Sequence, residues 1–309
     1  MARAFVFPGQ GSQYVGMGAD LAAQFPSAKA VFDEVDEALG EKLSTLMADG
    51  PMDALSLTAN TQPALMAHSV AAQRVLQEEV GLSIADCAFA AGHSLGEYSA
   101  LCAAGSITLS DTAKLLRLRG QAMQDAVPVG KGSMAALIGV NVEKAQVVID
   151  ALKGDGICEI ANDNGLQQVV VSGETAAIES ICAGARGQGV KIAKQLPVSA
   201  PFHSSMMAPA QAVMRDALAA CDIKSPQTPI MANVTAAPVS SPDDIRDLLV
   251  RQVTGRVRWT ESVQAMAAAG VSEIVEIGAG ETLCGLIKRI EKGVALKSFG
   301  KADDINGIK

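Results

Sequence analysis

A short apolar run that stops at a glycine and passes at once into a helical pattern constrains the fold most strongly. The run covers Ala88 to Gly92, and the letters HSLGE separate it from a helical stretch to about Ala104. The spacing GxSxG around Ser94 is typical of a sharp strand-to-helix turn, where side chains two positions either side would collide. Such a turn exposes the serine Oγ at a helix N-terminus, where backbone N–H groups favour developing negative charge. The sequence therefore predicts a nucleophilic Ser94.

A serine nucleophile needs a base, and the chain has three histidines. His93 is adjacent to Ser94, so its ring should point away from the attacking oxygen. His68 lies in an apolar helical stretch, which favours a packed side chain. His203 lies in a later loop, and elimination makes it the candidate that takes the Ser94 proton through Nε2. No acid stands out as a third member, so a backbone or amide carbonyl could orient the imidazole instead.

Arg119 is predicted to point inward from a helix that starts near Leu109. Its neighbours three and four positions away are apolar: Leu115, Leu116, Ala122 and Met123. The same neighbours of Arg117 are small or polar, so Arg117 should face solvent. A buried guanidinium needs an anionic partner. Helical geometry alone leaves two partners open, a protein carboxylate or a substrate carboxylate held by two N–H donors.

The loop after the first apolar run offers a second catalytic element. Gly9-Gln10-Gly11 follows a strand pattern that begins at Ala4 and precedes a helical pattern. The loop lacks the Gly-Lys-Ser/Thr of a phosphate-binding loop and the spacing of GxGxxG. A backbone N–H aimed at an oxyanion is the interpretation that fits best.

The order of elements predicts the fold class. Strands alternate with helices in both terminal parts of the chain, which favours a mostly parallel sheet covered on both faces. Between them, residues 129–197 show the order β-α-β-β-α-β of a ferredoxin-like unit. We therefore predict an α/β core from residues 1–128 and 198–309, with an inserted ferredoxin-like α+β subdomain at 129–197.

Composition excludes several classes of protein. The formal net charge of −8 argues against nucleic acid as a partner. Apolar runs are too short for a membrane-spanning helix, and the N-terminus lacks a signal-peptide pattern. The six cysteines are scattered, without metal-like pairing with the histidines, which is typical of reduced thiols. A cytoplasmic protein without a metal is the expectation.

Motifs along nearly the whole chain resemble the malonyl-CoA:acyl carrier protein transacylase family, kin to acyltransferase domains of fatty acid and polyketide synthases. They occur in the family's order, which is far more specific than GxSxG alone. The matching stretches are FPGQGSQ at 7–13, TQPAL at 61–65, GHSLGEYSAL at 92–101, LRGQAMQ at 118–124, ANDNG at 161–165, VSAPFHSSMM at 198–207, RQV…RW from 251 to 259 and EIGAG at 276–280.

The resemblance implies roles for individual residues. The family's nucleophile falls on Ser94, its base on His203, and the arginine that binds the malonyl carboxylate on Arg119. The glutamine whose carbonyl orients the histidine falls on Gln252, which would account for the missing acid. The remaining implied residues are the oxyanion-hole N–H donors Gln10 and Leu95 and the substrate contacts Phe202, Gln62 and Asn162.

The implied activity is a ping-pong transfer of malonyl from malonyl-CoA to the thiol of an acyl carrier protein, through an ester on Ser94. The implied fold is a hydrolase-like α/β core with a ferredoxin-like insert. No cofactor is expected beyond the coenzyme A thioester, and a monomer is expected. A basic docking patch for the carrier could use Lys191 and Lys194, or the cluster at 288–292.

Three alternatives stay open at this point. A serine hydrolase would share the serine and the base but use water as the acceptor. A non-catalytic binding module would need neither residue. An acyltransferase for another acyl group would be favoured if Arg119 were outside the site.

Overall fold

A computed structural model describes residues 2–198 and 200–306 of the chain. Ser199, within the VSAPFHSSMM motif, lies outside the described residues. The described residues form a mostly parallel sheet and a separate antiparallel sheet, with helices packed against both. The predicted fold class is confirmed.

The strands occur in three parts of the chain. In chain order they are β1 (Ala2–Phe7), β2 (Phe89–Gly92), β3 (Gly132–Ile138), β4 (Cys158–Gly165), β5 (Gln168–Glu174), β6 (Ile192–Gln195), β7 (Ile230–Ala232), β8 (Ala237–Val239), β9 (Val271–Ile277) and β10 (Ala295–Phe299). The larger sheet has the order β10-β9-β1-β2-β7-β8, and all neighbours are parallel except β7 and β8.

Helices follow most strands. They are α1 (Ala19–Gln24), α2 (Pro26–Leu39), α3 (Leu43–Asp49), α4 (Met52–Leu55), α5 (Thr58–Val80), α6 (Gly96–Ala103), α7 (Leu109–Asp125), α8 (Val142–Leu152), α9 (Thr175–Gly184), α10 (Ala208–Ala220), α11 (Pro242–Gln252), α12 (Trp259–Ala268), α13 (Thr282–Ile290) and α14 (Ala302–Asn306). No helix among the described residues is long and apolar enough to cross a bilayer.

The central strand β1 is buried on both of its faces. Phe5 and Phe7 pack into one apolar cluster, and Ala4 and Val6 into another on the opposite face. A continuous apolar strand is what a parallel sheet with helices on both sides requires. This layering brings the carboxyl ends of β1, β2 and β7 to one edge of the sheet, where the loops that carry chemistry begin.

The smaller sheet has the order β4-β5-β3-β6 with antiparallel neighbours throughout. Helices α8 and α9 cover one face and share its apolar cluster. This order and the β-α-β-β-α-β connection are those of a ferredoxin-like unit, and its strands lie inside the predicted segment 129–197. The boundaries at 128/129 and 197/198 stay predictions.

The smaller sheet is tied to the larger unit at β4. Val257 donates its N–H to Ala161 O at 2.8 Å, and Asp163 donates its N–H to Val257 O at 2.9 Å. Strand β4 reaches Gly165, although the sequence pattern predicted a turn from Asn162. Two register shifts against β5 let the strand continue through these polar residues.

The sequence pattern predicts a helix from Gln62 to about Val80, with Pro63 in its first turn. Helix α5 begins at Thr58 instead, so Pro63 lies inside it. A proline has no N–H to donate to the carbonyl four residues earlier. Arg117 takes over here, because its Nη1 donates to Ala59 O at 2.7 Å, and the side chain also pairs with Glu41. The prediction that Arg117 faces solvent is therefore wrong, since it is only 24% exposed.

Candidate active site

The turn between β2 and α6 has the geometry that its glycines predict. Ser94 has a φ of 54°, a backbone angle that residues other than glycine rarely adopt. A Cβ on Gly92 would lie 1.9 Å from the main chain of Gly96, and a Cβ on Gly96 would lie 2.2 Å from Phe7 O. Both glycines are required because backbone atoms, which cannot move aside, occupy the space.

Asn233, just after β7, holds this turn from the neighbouring strand. Its Oδ1 accepts the Ser94 N–H at 2.8 Å, and its Nδ2 donates to Gly92 O at 2.7 Å. Asn233 is buried, so both bonds are shielded from water. The Ser94 N–H is thus engaged and cannot serve a substrate.

The structure places His203 against the Ser94 hydroxyl. Its Nε2 lies 2.7 Å from Ser94 Oγ, and its Nδ1 faces two main-chain carbonyls, Gln252 O at 3.0 Å and Gly255 O at 3.1 Å. Carbonyl oxygens only accept, so Nδ1 carries the hydrogen and the bare Nε2 faces the hydroxyl. The arrangement is a dyad oriented by main-chain carbonyls, and no carboxylate is needed.

His203 is held in the neutral form that a base requires. It is 4% exposed, and burial, together with the charge of Arg119, lowers its pKa to about 3. The carbonyls that bind Nδ1 oppose this shift without reversing it. A neutral imidazole is therefore available to accept the Ser94 proton.

Arg119 points into the site, as its apolar neighbours predicted. Its side chain is fully buried, and its Nη2 lies 3.3 Å from Ser94 Oγ. Nη1 donates to Gln62 Oε1 at 2.8 Å and Nη2 to Gln252 Oε1 at 2.9 Å. None of the ion pairs among the described residues includes Arg119. Burial lowers the pKa of its guanidinium, and Tyr98 and Glu97 act against that shift.

A cavity of about 190 Å³ opens in front of Ser94. The predicted substrate contacts Gln62, Asn162 and Phe202 all line it, together with Gln10 and Leu95. The side-chain Oδ1 of Asn162 is buried without a hydrogen-bond partner among the described residues. The structure thus brings together every site residue that the sequence pointed to.

The main-chain N–H groups of Gln10 and Leu95 are available to a substrate oxygen. No hydrogen bond from either N–H is found within the described part of the chain, while both residues border the cavity beside Ser94. The Gln10 loop packs tightly against the turn, since a Cβ on Gly9 would lie 2.7 Å from His93 O. Two free N–H donors, one in the loop after β1 and one at the start of α6, are suited to an oxyanion.

The other two histidines have structural partners. His93 Nε2 lies 2.7 Å from Asn164 Oδ1, and its ring packs edge-on against Trp259. His68 is buried in α5 with Nε2 2.8 Å from Gly300 O. Burial lowers the pKa of both rings. These contacts agree with the elimination that left His203 as the base.

Sequence reasoning missed Glu97, Asn164, Asn233 and Gly255. Glu97 could have been found, because it is the only charged residue of helix α6 and lies in its first turn. The other residues act through contacts between distant segments, for which their local sequence gives no signal.

The chain is similar in sequence to a defined family and to named relatives. A family model described as acyl transferase domain matches residues 4–289. The malonyl CoA-acyl carrier protein transacylase of Bacillus subtilis (strain 168) is 42% identical over 301 residues, 97% of this chain and 93% of the relative. The protein of the same name from Escherichia coli (strain K12) is 45% identical over 288 residues, 93% and 92% of the two chains.

Solved structures agree with these similarities. An acyl-carrier-protein S-malonyltransferase from Bartonella henselae superposes with a TM-score of 0.96 at 52% identity, covering 99% of this chain and 98% of the other. A malonyl-transacylase in complex with its type II PKS acyl-carrier protein gives a TM-score of 0.96 at 40% identity, covering 100% and 99%.

Proposed function

The chain belongs to the acyl transferase family, and from this premise we propose that it transfers malonyl from malonyl-CoA to the pantetheine thiol of an acyl carrier protein. The reaction supplies fatty acid or polyketide synthesis. Ser94 carries the malonyl group as an ester between the two half-reactions.

The observation that carries this proposal is Arg119, a buried guanidinium without a carboxylate partner among the described residues. A guanidinium has five N–H donors, and Gln62, Gln252 and Ser94 engage three of them. Nε is one of the two that remain. A buried cation in this state is suited to an anionic ligand that arrives with the substrate, and the free carboxylate of a malonyl group is such a ligand.

Acylation begins when Ser94 Oγ attacks the thioester carbon of malonyl-CoA. The hydroxyl proton moves to His203 Nε2, which lies 2.7 Å away. The thioester oxygen becomes an oxyanion and accepts the N–H groups of Gln10 and Leu95. When the tetrahedral species collapses, the C–S bond breaks and coenzyme A leaves with the proton from His203.

Deacylation repeats the chemistry with a different thiol. His203 takes the proton of the pantetheine thiol, whose sulfur attacks the ester carbon. The C–O bond to Ser94 breaks, and the proton passes from His203 to Ser94 Oγ. The carbonyls of Gln252 and Gly255 keep the imidazole oriented in both half-reactions. Neither step changes an oxidation state, so no redox cofactor is needed. His203 supplies the base and the N–H groups of Gln10 and Leu95 bind the oxyanion, so we propose that no metal takes part either.

The remaining substrate contacts follow from the cavity wall. Phe202 limits the room beside the acyl group, Gln62 fixes Arg119, and Asn162 offers an unpartnered oxygen to an N–H of the pantetheine arm. We also propose a cytoplasmic monomer that binds neither nucleic acid nor membrane, which fits the net charge of −8.

Carrier docking on Lys191 and Lys194, or on Lys288, Arg289 and Lys292, stays a prediction. All five side chains are exposed. Affinity for the carrier should fall as salt is raised if such a patch is used.

Intact-protein mass spectrometry tests the function. The protein is mixed with malonyl-CoA, and we expect one malonyl group to be added to the wild type and none to Ser94→Ala. His203→Ala should acylate far more slowly, because no base then takes the proton. Release of free malonate without an adduct would favour a serine hydrolase, and an adduct on Ser94→Ala would refute the ester.

A further inference from the structure

Glu97 is a buried carboxylate that the proposed reaction does not use. It lies in the first turn of α6, directly after the Ser94 turn, and is 2% exposed. Its Oε2 accepts the N–H of Asn233 at 3.2 Å and the Nε2–H of Gln252 at 2.8 Å. No ion pair of Glu97 is found among the described residues. A buried carboxyl group in this position requires an explanation.

The Gln252 side chain connects Glu97 to Arg119. Its Nε2 donates to Glu97 Oε2 and, at 2.9 Å, to the main-chain oxygen of Ser94. Its Oε1 accepts from Arg119 Nη2 at 2.9 Å. This orientation of the amide is fixed, because the flipped amide would set its oxygen against two acceptors and its NH₂ against a guanidinium that only donates.

The neutral amide of Gln252, between the Glu97 carboxyl group and the Arg119 guanidinium, affects how Arg119 can bind a substrate. A direct Glu97–Arg119 ion pair would occupy the guanidinium and compete with an incoming carboxylate. With a neutral amide in between, Arg119 is held in place while its remaining donors stay free. Burial raises the pKa of Glu97 to about 7, and the hydrogen bond from Gln252, the N–H of Asn233 and the charge of Arg119 act against that rise.

We propose that Glu97 is a positioning residue for recognition of the acyl carboxylate: it orients the Gln252 side chain, which holds Arg119 beside Ser94. The inference rests on the proposed role of Arg119 in binding the malonyl carboxylate. It assigns two roles to Gln252, since the main-chain carbonyl orients His203 and the side chain holds Arg119.

The test compares the kcat/KM of acyl-enzyme formation from malonyl-CoA with that from acetyl-CoA, which lacks the carboxylate. The ratio of the two values does not depend on the folded fraction of a preparation. We expect Glu97→Ala to lower the ratio about tenfold, the effect of losing one hydrogen bond to a charged group. Most of the loss should appear as a higher KM for malonyl-CoA.

Two further variants separate orientation from charge. Gln252→Leu should lower the ratio similarly, because it removes the Oε1 that holds Arg119 but keeps the main-chain carbonyl that orients His203. Glu97→Gln keeps an acceptor for Gln252 Nε2, so its ratio should stay close to that of the wild type. If Glu97→Ala does not fold, Gln252→Leu decides the question.

Asn233→Ala is the matched control, because it removes the side chain that clamps the Ser94 turn but keeps the main-chain N–H that Glu97 accepts. Of the three contacts of Gln252 Nε2 it removes only the longest, at 3.4 Å to Asn233 Oδ1. This variant should lower the kcat/KM of acyl-enzyme formation by the same factor for malonyl-CoA and acetyl-CoA. If Glu97→Ala also slowed both equally, Glu97 would be merely structural and the inference would be overturned. If Arg119→Ala left the ratio unchanged, the proposed role of Arg119 would fail instead, and the two failures are thus distinguishable.

Discussion

Replacing Arg119 with alanine should change which acyl group the protein accepts. The guanidinium is 1% exposed and lies 3.3 Å from Ser94 Oγ, so a carboxylate bound to it stays out of water. Arg119→Ala should cut malonyl transfer sharply. It should also raise acetyl transfer, because a neutral acyl group no longer leaves a buried cation unpaired.

The size of the loss follows from the hydrogen bonds that Arg119 can give to the carboxylate. Each hydrogen bond to a charged group contributes about 1.5–3 kcal/mol. We count two for malonyl, one from a free N–H of Arg119 and one from the N–H that makes the long 3.3 Å contact with Ser94 Oγ. The sum is about 3–6 kcal/mol, and each 1.4 kcal/mol corresponds to about tenfold. We therefore expect kcat/KM for malonyl-CoA to fall at least about a hundredfold, an estimate from the lower bound.

The assay measures acyl-enzyme formation from malonyl-CoA and from acetyl-CoA, for Arg119→Ala and for the control variant Arg117→Ala. Arg117 lies two positions away on α7 and donates to Ala59 O where Pro63 cannot. Its removal should lower the thermal midpoint without changing the malonyl-to-acetyl ratio. Unchanged malonyl kinetics in Arg119→Ala, or an equal loss for both thioesters, would refute the reasoning.

Three further predictions follow from the same site. Gly92→Ala should abolish acylation, because the new Cβ meets the Gly96 main chain at 1.9 Å. Gly285→Ala is the control and should leave acylation unchanged, because the space around that position is open. Equal acylation rates of the two variants would contradict this prediction. The pKa of His203 is lowered from 6.5 to about 3, so the folded state binds fewer protons there. Acid unfolding curves of the wild type should therefore lose stability between those pH values more steeply than curves of His203→Gln, and parallel curves would count against the shift. Phe202→Ala should widen the cavity and raise methylmalonyl transfer relative to malonyl in a competition assay, and an unaltered preference would exclude Phe202 as a selector.

The parts of the site that sequence predicted are those set by local sterics and periodicity. The glycines around Ser94 are needed because the backbone is crowded there, and the apolar neighbours of Arg119 place it inward. The absence of a candidate acid also proved informative, since carbonyls of Gln252 and Gly255 occupy that position. Each of these features depends on a few neighbouring residues.

Local sequence patterns do not predict features that depend on contacts between distant segments of the chain. The start of α5 differs because the side chain of Arg117 satisfies the carbonyl that Pro63 leaves free. Strand β4 extends through polar residues because bulges and its pairing with Val257 stabilise it. Strand β10 lies at the edge of the larger sheet, and the sequence analysis does not predict it, because its five residues ALKSF alternate only weakly between apolar and polar although their burial alternates.

One helix was missed although its signal was present. Ala210, Met214 and Leu218 recur every four residues and form the buried face of α10, which the periodicity of an amphipathic helix predicts. The helix follows His203 closely, so its apolar face anchors the loop that carries the base.

The central claim is that Ser94 passes a malonyl group to a carrier thiol and not to water. Its most direct test is to isolate the malonyl-enzyme, free it of coenzyme A, and add acyl carrier protein bearing the pantetheine thiol, with buffer alone as the control. We predict that malonyl moves to the carrier in the first sample and stays on Ser94 in the second. Rapid appearance of free malonate in both samples, with none on the carrier, would contradict the account.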